Sequence, residues 1–272
     1  MRGVGRIVGR VGVWLVPLIV IALAAAWQGR DPLRVDLTQV YAGVSAEHWL
    51  GCDGLGRDVL ARLAEGLRLS LLVGANVVLL GFAVGTAVGI CAGWFGGWLD
   101  ALLMRLVDVV LAFPGILLAI ALAAMLGPGI GNLILALAAV GWVGFARLAR
   151  GQVLVLRHAP FVQAAMAAGV SPLAVAWRHL LPNIAAPLLV EASLGLAGVV
   201  IGEAGLSFLG VGVQPPEASL GSMIREGTRV MLVHPWLVVW PGVALFCLTL
   251  AANLMGDALR DYLDVRTVPR RE

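Results

Sequence analysis

The chain alternates long apolar runs with shorter polar stretches. A helix that crosses the roughly 30 Å hydrocarbon core of a bilayer needs about 20 apolar residues. Six runs approach or reach that length, and they predict six membrane-spanning helices, at 11–27, 69–95, 109–126, 130–146, 184–201 and 236–254. The glycines and prolines within these runs do not argue against helices, because membrane helices use small residues to pack closely. The pattern therefore predicts an all-α integral membrane protein.

Two of these runs carry a further pattern. The run 69–95 has a glycine at every fourth position from 81 to 93, which predicts a helix–helix contact, with a pore lining as the alternative. The run 11–27 follows three arginines and ends in three alanines, a pattern shared by cleavable secretory signals and by uncleaved anchors. We interpret it as an uncleaved anchor, which gives an even number of spans and leaves both chain ends on one side.

Composition narrows the class of protein. Hydrophobic residues make up 60% of the chain and charged residues only 13%, and the mean hydropathy is +0.95. A soluble globular protein is nearer half apolar and a quarter charged, so a water-soluble enzyme and a disordered chain are both poor fits. The three cysteines show no spacing typical of a metal site or a disulfide framework. We therefore expect no metal and no cofactor on this chain.

The chain contains no lysine; all 19 of its basic residues are arginines. The phosphate-binding P-loop uses a lysine to reach the β- and γ-phosphates of a nucleotide. If ATP drives this protein, another chain must therefore hydrolyse it.

Arginine asymmetry predicts the orientation, because cytoplasmic segments carry an excess of basic residues. With the N-terminus inside, the inside segments hold 12 arginines and 6 acids, and the outside segments hold 7 arginines and 8 acids. The stretch 147–183 has four arginines and no acid. Both termini and this stretch are thus expected in the cytoplasm, and 28–68 and 205–235 on the outside.

The cytoplasmic stretch has the signals of two short helices. Pro160 suits the first position of a helix, and Gly169 suits the left-handed position just past its end. Ser171 followed by proline predicts the start of a second helix, which should end before Pro182. Alanines at 164, 165, 167 and 168 leave the first helix with a smooth surface that another protein can approach closely. The alternative is an interfacial helix resting on lipid.

These residues resemble a known family. Gln163-Ala164-Ala165, Gly169 four residues later and Leu181-Pro182 resemble the EAA loop of binding-protein-dependent ABC importer permeases, with Gln163 in place of glutamate. The resemblance implies that the loop docks into a cleft of the ATPase subunit. It implies a coupling role for seven residues: Gln163, Ala164, Ala165, Gly169, Ser171, Leu181 and Pro182.

Three more stretches are similar to the dipeptide/oligopeptide/nickel-type permeases of that family. The first is the segment around Asp53, Gly56, Arg57 and Asp58, with Cys52 where threonine is usual. The second is the stretch 203–212, which two prolines follow. The third is the C-terminal stretch 253–264, with Val265 in place of proline. The four motifs occur in the family's order between about 49 and 266. They identify the chain with the shorter, C-type permease, which normally pairs with a second permease.

The resemblance also implies the fold, the partners and the cellular location. The fold would be that of a type I ABC importer permease with six transmembrane helices and a cytoplasmic coupling helix. Its partners would be a second permease, two ATP-binding subunits, a periplasmic solute-binding protein and the lipid bilayer, with no nucleic acid. The location would be the bacterial inner membrane. The substrate stays open between dipeptides, oligopeptides, nickel and another small solute.

The same resemblance divides the chain into an anchor and periplasmic segment at 1–68, a transmembrane domain at 69–266 with its loop at 160–183, and a cytoplasmic tail at 267–272. Two other classes of function remain. A secondary transporter would need two inverted halves, and a membrane-embedded enzyme would need converging catalytic groups. The sequence shows neither pattern.

A few charged residues lie where charge is costly. Glu191 and Glu203 fall in or near the fifth apolar run, about 18 Å apart at helical rise. Glu191 either pairs with an arginine, reaches the interface or lines the translocation path. For Glu203 we favour a structural hydrogen bond to the following loop over a substrate contact. Asp53, Arg57 and Asp58, with His48, favour a structural turn over a metal or acid–base site. No residue is assigned a catalytic role.

Overall fold

The computed structural model describes residues 31–264, and this part of the chain is helical and contains no β-strand. A short 3₁₀ helix at Leu37–Gln39 comes first. The α-helices that follow are α1 (Val59–Phe95), α2 (Gly97–Leu111), α3 (Gly115–Leu126), α4 (Ile130–Leu156), α5 (Pro160–Ala167), α6 (Pro172–Val175), α7 (Leu181–Leu209), α8 (Leu220–Thr228) and α9 (Trp236–Asp264).

Four stretches of helix are long and apolar enough to cross a membrane. They are Val59–Phe95, Ile130–Leu156, Pro172–Leu209 and Trp236–Leu263, and they contain four of the predicted runs. The predicted run at 11–27 lies outside the described residues. The predicted span at 109–126 is not one continuous helix, because α2 and α3 meet there at a bend of 86°; together the two helices are apolar enough for one broken span. Pro114 lies at this bend, where it lacks an N–H for the helix and disfavours helical backbone at the preceding residue.

The contact between α1 and α4 is the centre of the fold. The glycines at 81, 85, 89 and 93 face α4, and a Cβ atom at any of the last three would overlap or crowd α4 atoms. Phe82 and Phe145 stack edge to face across this contact, with ring centroids 5.8 Å apart. The predicted helix–helix contact is therefore confirmed, since the absence of side chains lets the two backbones approach.

The two polar stretches predicted to lie outside pack against each other at one end of the helix bundle. Tyr41 stacks on His234 with ring centroids 4.4 Å apart. An apolar cluster joins Val59 and Leu63 of α1 to Met223 of α8 and Leu237 of α9. The structure thus places both stretches on the same side of the bundle; we call this side the α8 end.

The opposite end is built around the C-terminal half of α4. Arg150 forms a bidentate pair with Asp100 of α2, and Arg147 Nη2 lies 2.8 Å from Asp108 Oδ1. Arg157 donates to the carbonyl oxygen of Gly93, 3.2 Å away, at the end of α1. These contacts place α2 and the loop that carries α5 at the same end, which we call the α5 end.

The second short helix in this loop does not end before Pro182, and that expectation is wrong. α6 continues through a π-helical turn at Ala176–Leu180 into α7, so that helix runs unbroken from Pro172 to Leu209. The wider turn lets the Leu181 N–H reach the carbonyl of Ala176. Pro182 then falls in the first turn of α7, where a missing N–H removes no essential hydrogen bond.

Candidate functional site

The loop at the α5 end is fixed to the bundle by one apolar face. Val162 of α5, Val175 of α6 and Leu180 are fully buried in a cluster with Ile184 of α7. Pro160 occupies the first turn of α5, as the sequence predicted. The other face of α5 is exposed and is formed by six residues: Phe161, Gln163, Ala164, Met166, Ala167 and Ala168.

The joint between α5 and α6 is a tight glycine turn. Gly169 has φ +82°, which confirms the predicted left-handed conformation. Its N–H donates to the Met166 carbonyl at 3.0 Å, and the next N–H, of Val170, donates to the Ala165 carbonyl at 3.1 Å. Ser171 caps α6 through its hydroxyl, which accepts from the Ala174 N–H at 3.4 Å. Local hydrogen bonds therefore set the angle between the two helices.

The remaining loop residues divide between the buried and exposed faces. Ala165 is half-buried and packs against the apolar cluster, so it is not part of the smooth exposed surface. Leu181 packs against the same cluster, whereas Pro182 is exposed. Gln163 is exposed and donates from Nε2 to the His158 carbonyl at 3.2 Å. The free surface thus centres on Ala164, Ala167 and Ala168.

At the α8 end, the segment before α1 forms a buried charge network. Asp53 accepts from Arg57 Nε at 2.8 Å and from Arg62 Nη1, and Arg62 Nη1 also lies 2.8 Å from Glu226 Oε2 of α8. Arg62 is only 2% exposed. Burial favours a raised pKa for the Asp53 carboxyl, but the Arg62 charge and the N–H groups of Leu55 and Arg57 outweigh it and hold the pKa below its usual value.

The other two residues of this motif shape the chain. Gly56 has φ +69°, and a Cβ there would overlap the Asp36 carbonyl. Asp58 caps α1 by accepting from the Ala61 N–H at 2.8 Å, and its second oxygen lies 2.8 Å from His48 Nδ1. The structure therefore joins Asp53 and Arg57 in one network and puts Asp58 and Gly56 beside it.

Arg62 and Glu226 carry no signal in the sequence that would identify them as site residues. Arg62 lies in a polar segment, and nothing local links it to a glutamate on α8. Together with Tyr41 and Arg229, the network lines a cleft of about 390 Å³ at the α8 end.

Glu203 is completely buried between α1 and α7. Its carboxylate accepts hydrogen bonds from the hydroxyls of Ser70 at 2.7 Å and Ser207 at 2.9 Å. The Ser207 oxygen in turn accepts from the Val213 N–H, at 3.2 Å, in the loop after α7. Glu203 is therefore tied through Ser207 to the loop that follows its own helix.

Glu191 is separate from all of these groups. It lies on α7 and lines a cavity of about 270 Å³ between α1, α3, α4 and α7. Its Oε1 lies against the backbone of α4 at Gly144, where an added Cβ would come within 2.7 Å of it. Within residues 31–264, Glu191 forms no ion pair with an arginine.

Comparison with known proteins agrees with this arrangement. The family model described as "Binding-protein-dependent transport system inner membrane component" matches residues 85–269. The chain is 43% identical, over 253 residues, to the glutathione transport system permease protein GsiD of Escherichia coli O6:K15:H31 and of Shigella boydii serotype 4. The alignments cover 92% of this chain and 84% of each relative.

Solved structures show the same fold at low identity. An inward-facing structure of the MetNI methionine ABC transporter aligns with a TM-score of 0.58 and 18% identity, covering 72% of this chain and 95% of the matched chain. A second crystal form aligns with a TM-score of 0.53. The family match, the 43% identity and the helical architecture lead to one conclusion: the chain belongs to the family of inner-membrane permease components of binding-protein-dependent ABC importers.

Proposed function

We propose that this chain forms, together with a second and different permease, the membrane pathway of an importer for small peptides. Two separate ATP-binding subunits hydrolyse ATP, and a periplasmic binding protein delivers the substrate. The chain itself binds no cofactor and carries out no catalytic step. Among the described residues, its membrane helices are the four long spans and the bent α2–α3 pair. The sixth span is proposed from the apolar sequence at 11–27 alone.

The exposed face of α5 is the observation that carries this proposal. The helix is anchored by Val162 on one side, and on the other it presents Ala164, Ala167 and Ala168 with little side-chain bulk. A partner backbone can therefore approach this face closely. Four arginines lie between 147 and 183, which suits a cytoplasmic location under the positive-inside rule. We assign α5 as the coupling helix that docks on the ATPase.

The α8 end is proposed to face the periplasm and to receive the binding protein. It lies at the end of the bundle opposite α5, and both polar stretches predicted to be outside assemble there. Both termini then lie in the cytoplasm of a bacterial cell, and the chain is a multi-pass protein of the inner membrane.

The proposed substrate follows from the relatives. The two GsiD proteins are named as permeases of a glutathione transport system, and 43% identity over 92% of this chain makes a peptide of similar size a better candidate than nickel.

Reconstitution tests this function directly. The complete importer, purified through a tag on this chain and placed in proteoliposomes, should take up labelled glutathione only when ATP and the binding protein are both present. The same vesicles with nickel as substrate provide the comparison. Uptake that persists without the ATPase subunits would contradict the assignment and favour a secondary transporter.

A further inference from the structure

The cavity that contains Glu191 has an unusual wall. Fourteen residues from α1, α3, α4 and α7 line it, and thirteen of them are glycine or apolar. Glu191 is the single ionisable group. We call this space the Glu191 cavity. Glu191 is half-buried on a helix long and apolar enough to span a membrane, where an ionisable group is costly and is expected to serve a function.

Two of the three α7 glycines in this wall, Gly195 and Gly198, do not serve helix packing. A Cβ atom added at Gly195 or Gly198 would meet no other atom within 4 Å, whereas one at Gly85 would overlap α4. The absence of side chains at 195 and 198 therefore leaves open volume beside Glu191. Gly195 and Gly198 lie one turn apart, and Glu191 lies one turn before Gly195 on the same helix, so the open space has a carboxyl group at one end.

The Glu191 carboxylate has no hydrogen-bond donor or cation beside it among residues 31–264. Glu203, on the same helix, contrasts with it, because two hydroxyls donate to that carboxylate. A carboxylate without partners in apolar surroundings gains most from a cation that enters the cavity. A single carboxylate is a poor ligand set for Ca²⁺ or Mg²⁺, which require several oxygens, but one carboxylate can pair with an organic ammonium group.

We propose that the Glu191 cavity binds the ammonium group of the transported peptide during its passage; the identity of the ligand rests on the proposed function. Its volume of about 270 Å³ lies just below the roughly 300–1,000 Å³ of sites that enclose whole drug-sized ligands. The cavity therefore takes the amino-terminal part of a peptide and leaves the rest in the pathway. Glu191 is a specificity-determining residue, which selects a free amino terminus.

Transport of two matched peptides tests this site. The assembled importer in proteoliposomes is supplied with S-methylglutathione or its N-acetyl derivative, each at a concentration that saturates the binding protein. The wild type should transport the free amine faster by about tenfold or more. Glu191→Gln should reduce this ratio to near one by slowing the free amine, and Glu191→Asp, which keeps the charge, should retain most of the preference. An unchanged ratio in Glu191→Gln would overturn the proposal.

Cysteine reactivity tests the site independently of the substrate. Gly195→Cys is placed in an importer whose Cys52, Cys91 and Cys247 are serine, and its reaction rates with positively and negatively charged methanethiosulfonates are compared. The cationic reagent should react about tenfold faster, and adding Glu191→Gln should remove the difference. Gly242→Cys on α9 is the matched control, because a Cβ at this position is also unobstructed and the residue does not line the cavity.

The two experiments separate the possible failures. If the wild type transports neither peptide but the Gly195→Cys importer shows the charge preference, the proposed substrate is wrong and the cation site stands. If the Gly195→Cys importer reacts with neither reagent, or equally with both, the cavity is not a cation site. If Glu191→Gln lowers recovery of the assembled importer and changes neither ratio, Glu191 forms a structural ion pair with the second permease, and the proposal fails.

Discussion

The α1–α4 contact allows a prediction whose size follows from the structure. In Gly85→Ala, the new Cβ would overlap the Trp142 carbonyl oxygen and lie 2.6 Å from the Phe145 Cβ. Carbon atoms in good contact are about 3.5–4.0 Å apart, so the helices must separate by about 1 Å. Overpacking of this kind costs about 1–3 kcal/mol, and the higher helix propensity of alanine returns at most about 1 kcal/mol. We expect a net loss on the order of 1–2 kcal/mol.

Gly141→Ala is the matched control, because it makes the same chemical change in the same interface. Its Cβ would lie 3.7 Å from Val77 Cγ1, an ordinary contact. We therefore expect Gly141→Ala to be neutral or to stabilise by up to about 1 kcal/mol.

Graded SDS unfolding of the purified chain in mixed micelles, followed by helical circular dichroism, measures the free energy of unfolding of both variants. Equal stabilities for Gly85→Ala and Gly141→Ala would refute the idea that the glycines at 81–93 are retained for close backbone approach.

Three further predictions concern the two ends of the molecule. Ala164→Asp should abolish substrate-stimulated ATP hydrolysis by the assembled importer without loss of membrane insertion. The control Gln152→Ala should have little effect. Full stimulation in Ala164→Asp would exclude this face of α5 from coupling. Arg62→Met removes one of the two arginines that pair with Asp53 and should lower the free energy of unfolding by about 3 kcal/mol, measured as faster labelling of the buried Cys52 than in the wild type. In intact cells, an impermeant thiol reagent should label Thr38→Cys but not Gln152→Cys. The reverse labelling pattern would show that the proposed orientation is wrong.

Hydropathy located the long helices but not their ends. α1 begins at Val59, ten residues before the predicted run, and its first three turns include Arg62, Glu65 and Arg68. A hydropathy window treats such residues as the end of a span. The helix continues because Asp58 caps it and because Arg62 is neutralised by Asp53 and Glu226. Composition along the chain cannot reveal a partner on a distant helix.

Local signals predicted local geometry well. The proline, glycine and serine at 160, 169 and 171 predicted the start, end and cap of the short helices, because these signals act through their own backbone. Pro114 was a comparable signal for the bend between α2 and α3, but the apolar character of the whole run obscured it. Pro182 predicted a helix end that does not occur, because a π-helical turn before it allows the helix to continue.

The candidate functional residues also show the difference between local signals and contacts with distant elements. Asp53 and Glu203 are polar residues whose partners lie on other elements, and only the fold shows that those partners satisfy them. The sequence placed Glu191 in the same class, with pairing, interface and pathway as alternatives. In the fold, Glu191 borders an open cavity lined by glycine and apolar residues, and no described residue pairs with its carboxylate. We therefore propose a ligand as its partner.

The helix that carries Glu191 also connects the two ends of the molecule. Ile184 in its first turn and Leu180 just before it are buried in one cluster with Val162 of α5. Its last turns are held by Glu203 and the loop at the α8 end. Between them, α7 lines the Glu191 cavity. A π-helical turn separates α6 from α7, and such turns occur frequently at functional sites. We therefore expect a partner that displaces α5 to act on the cavity through α7, with the adjustment absorbed at Ala176–Leu180 instead of within the span.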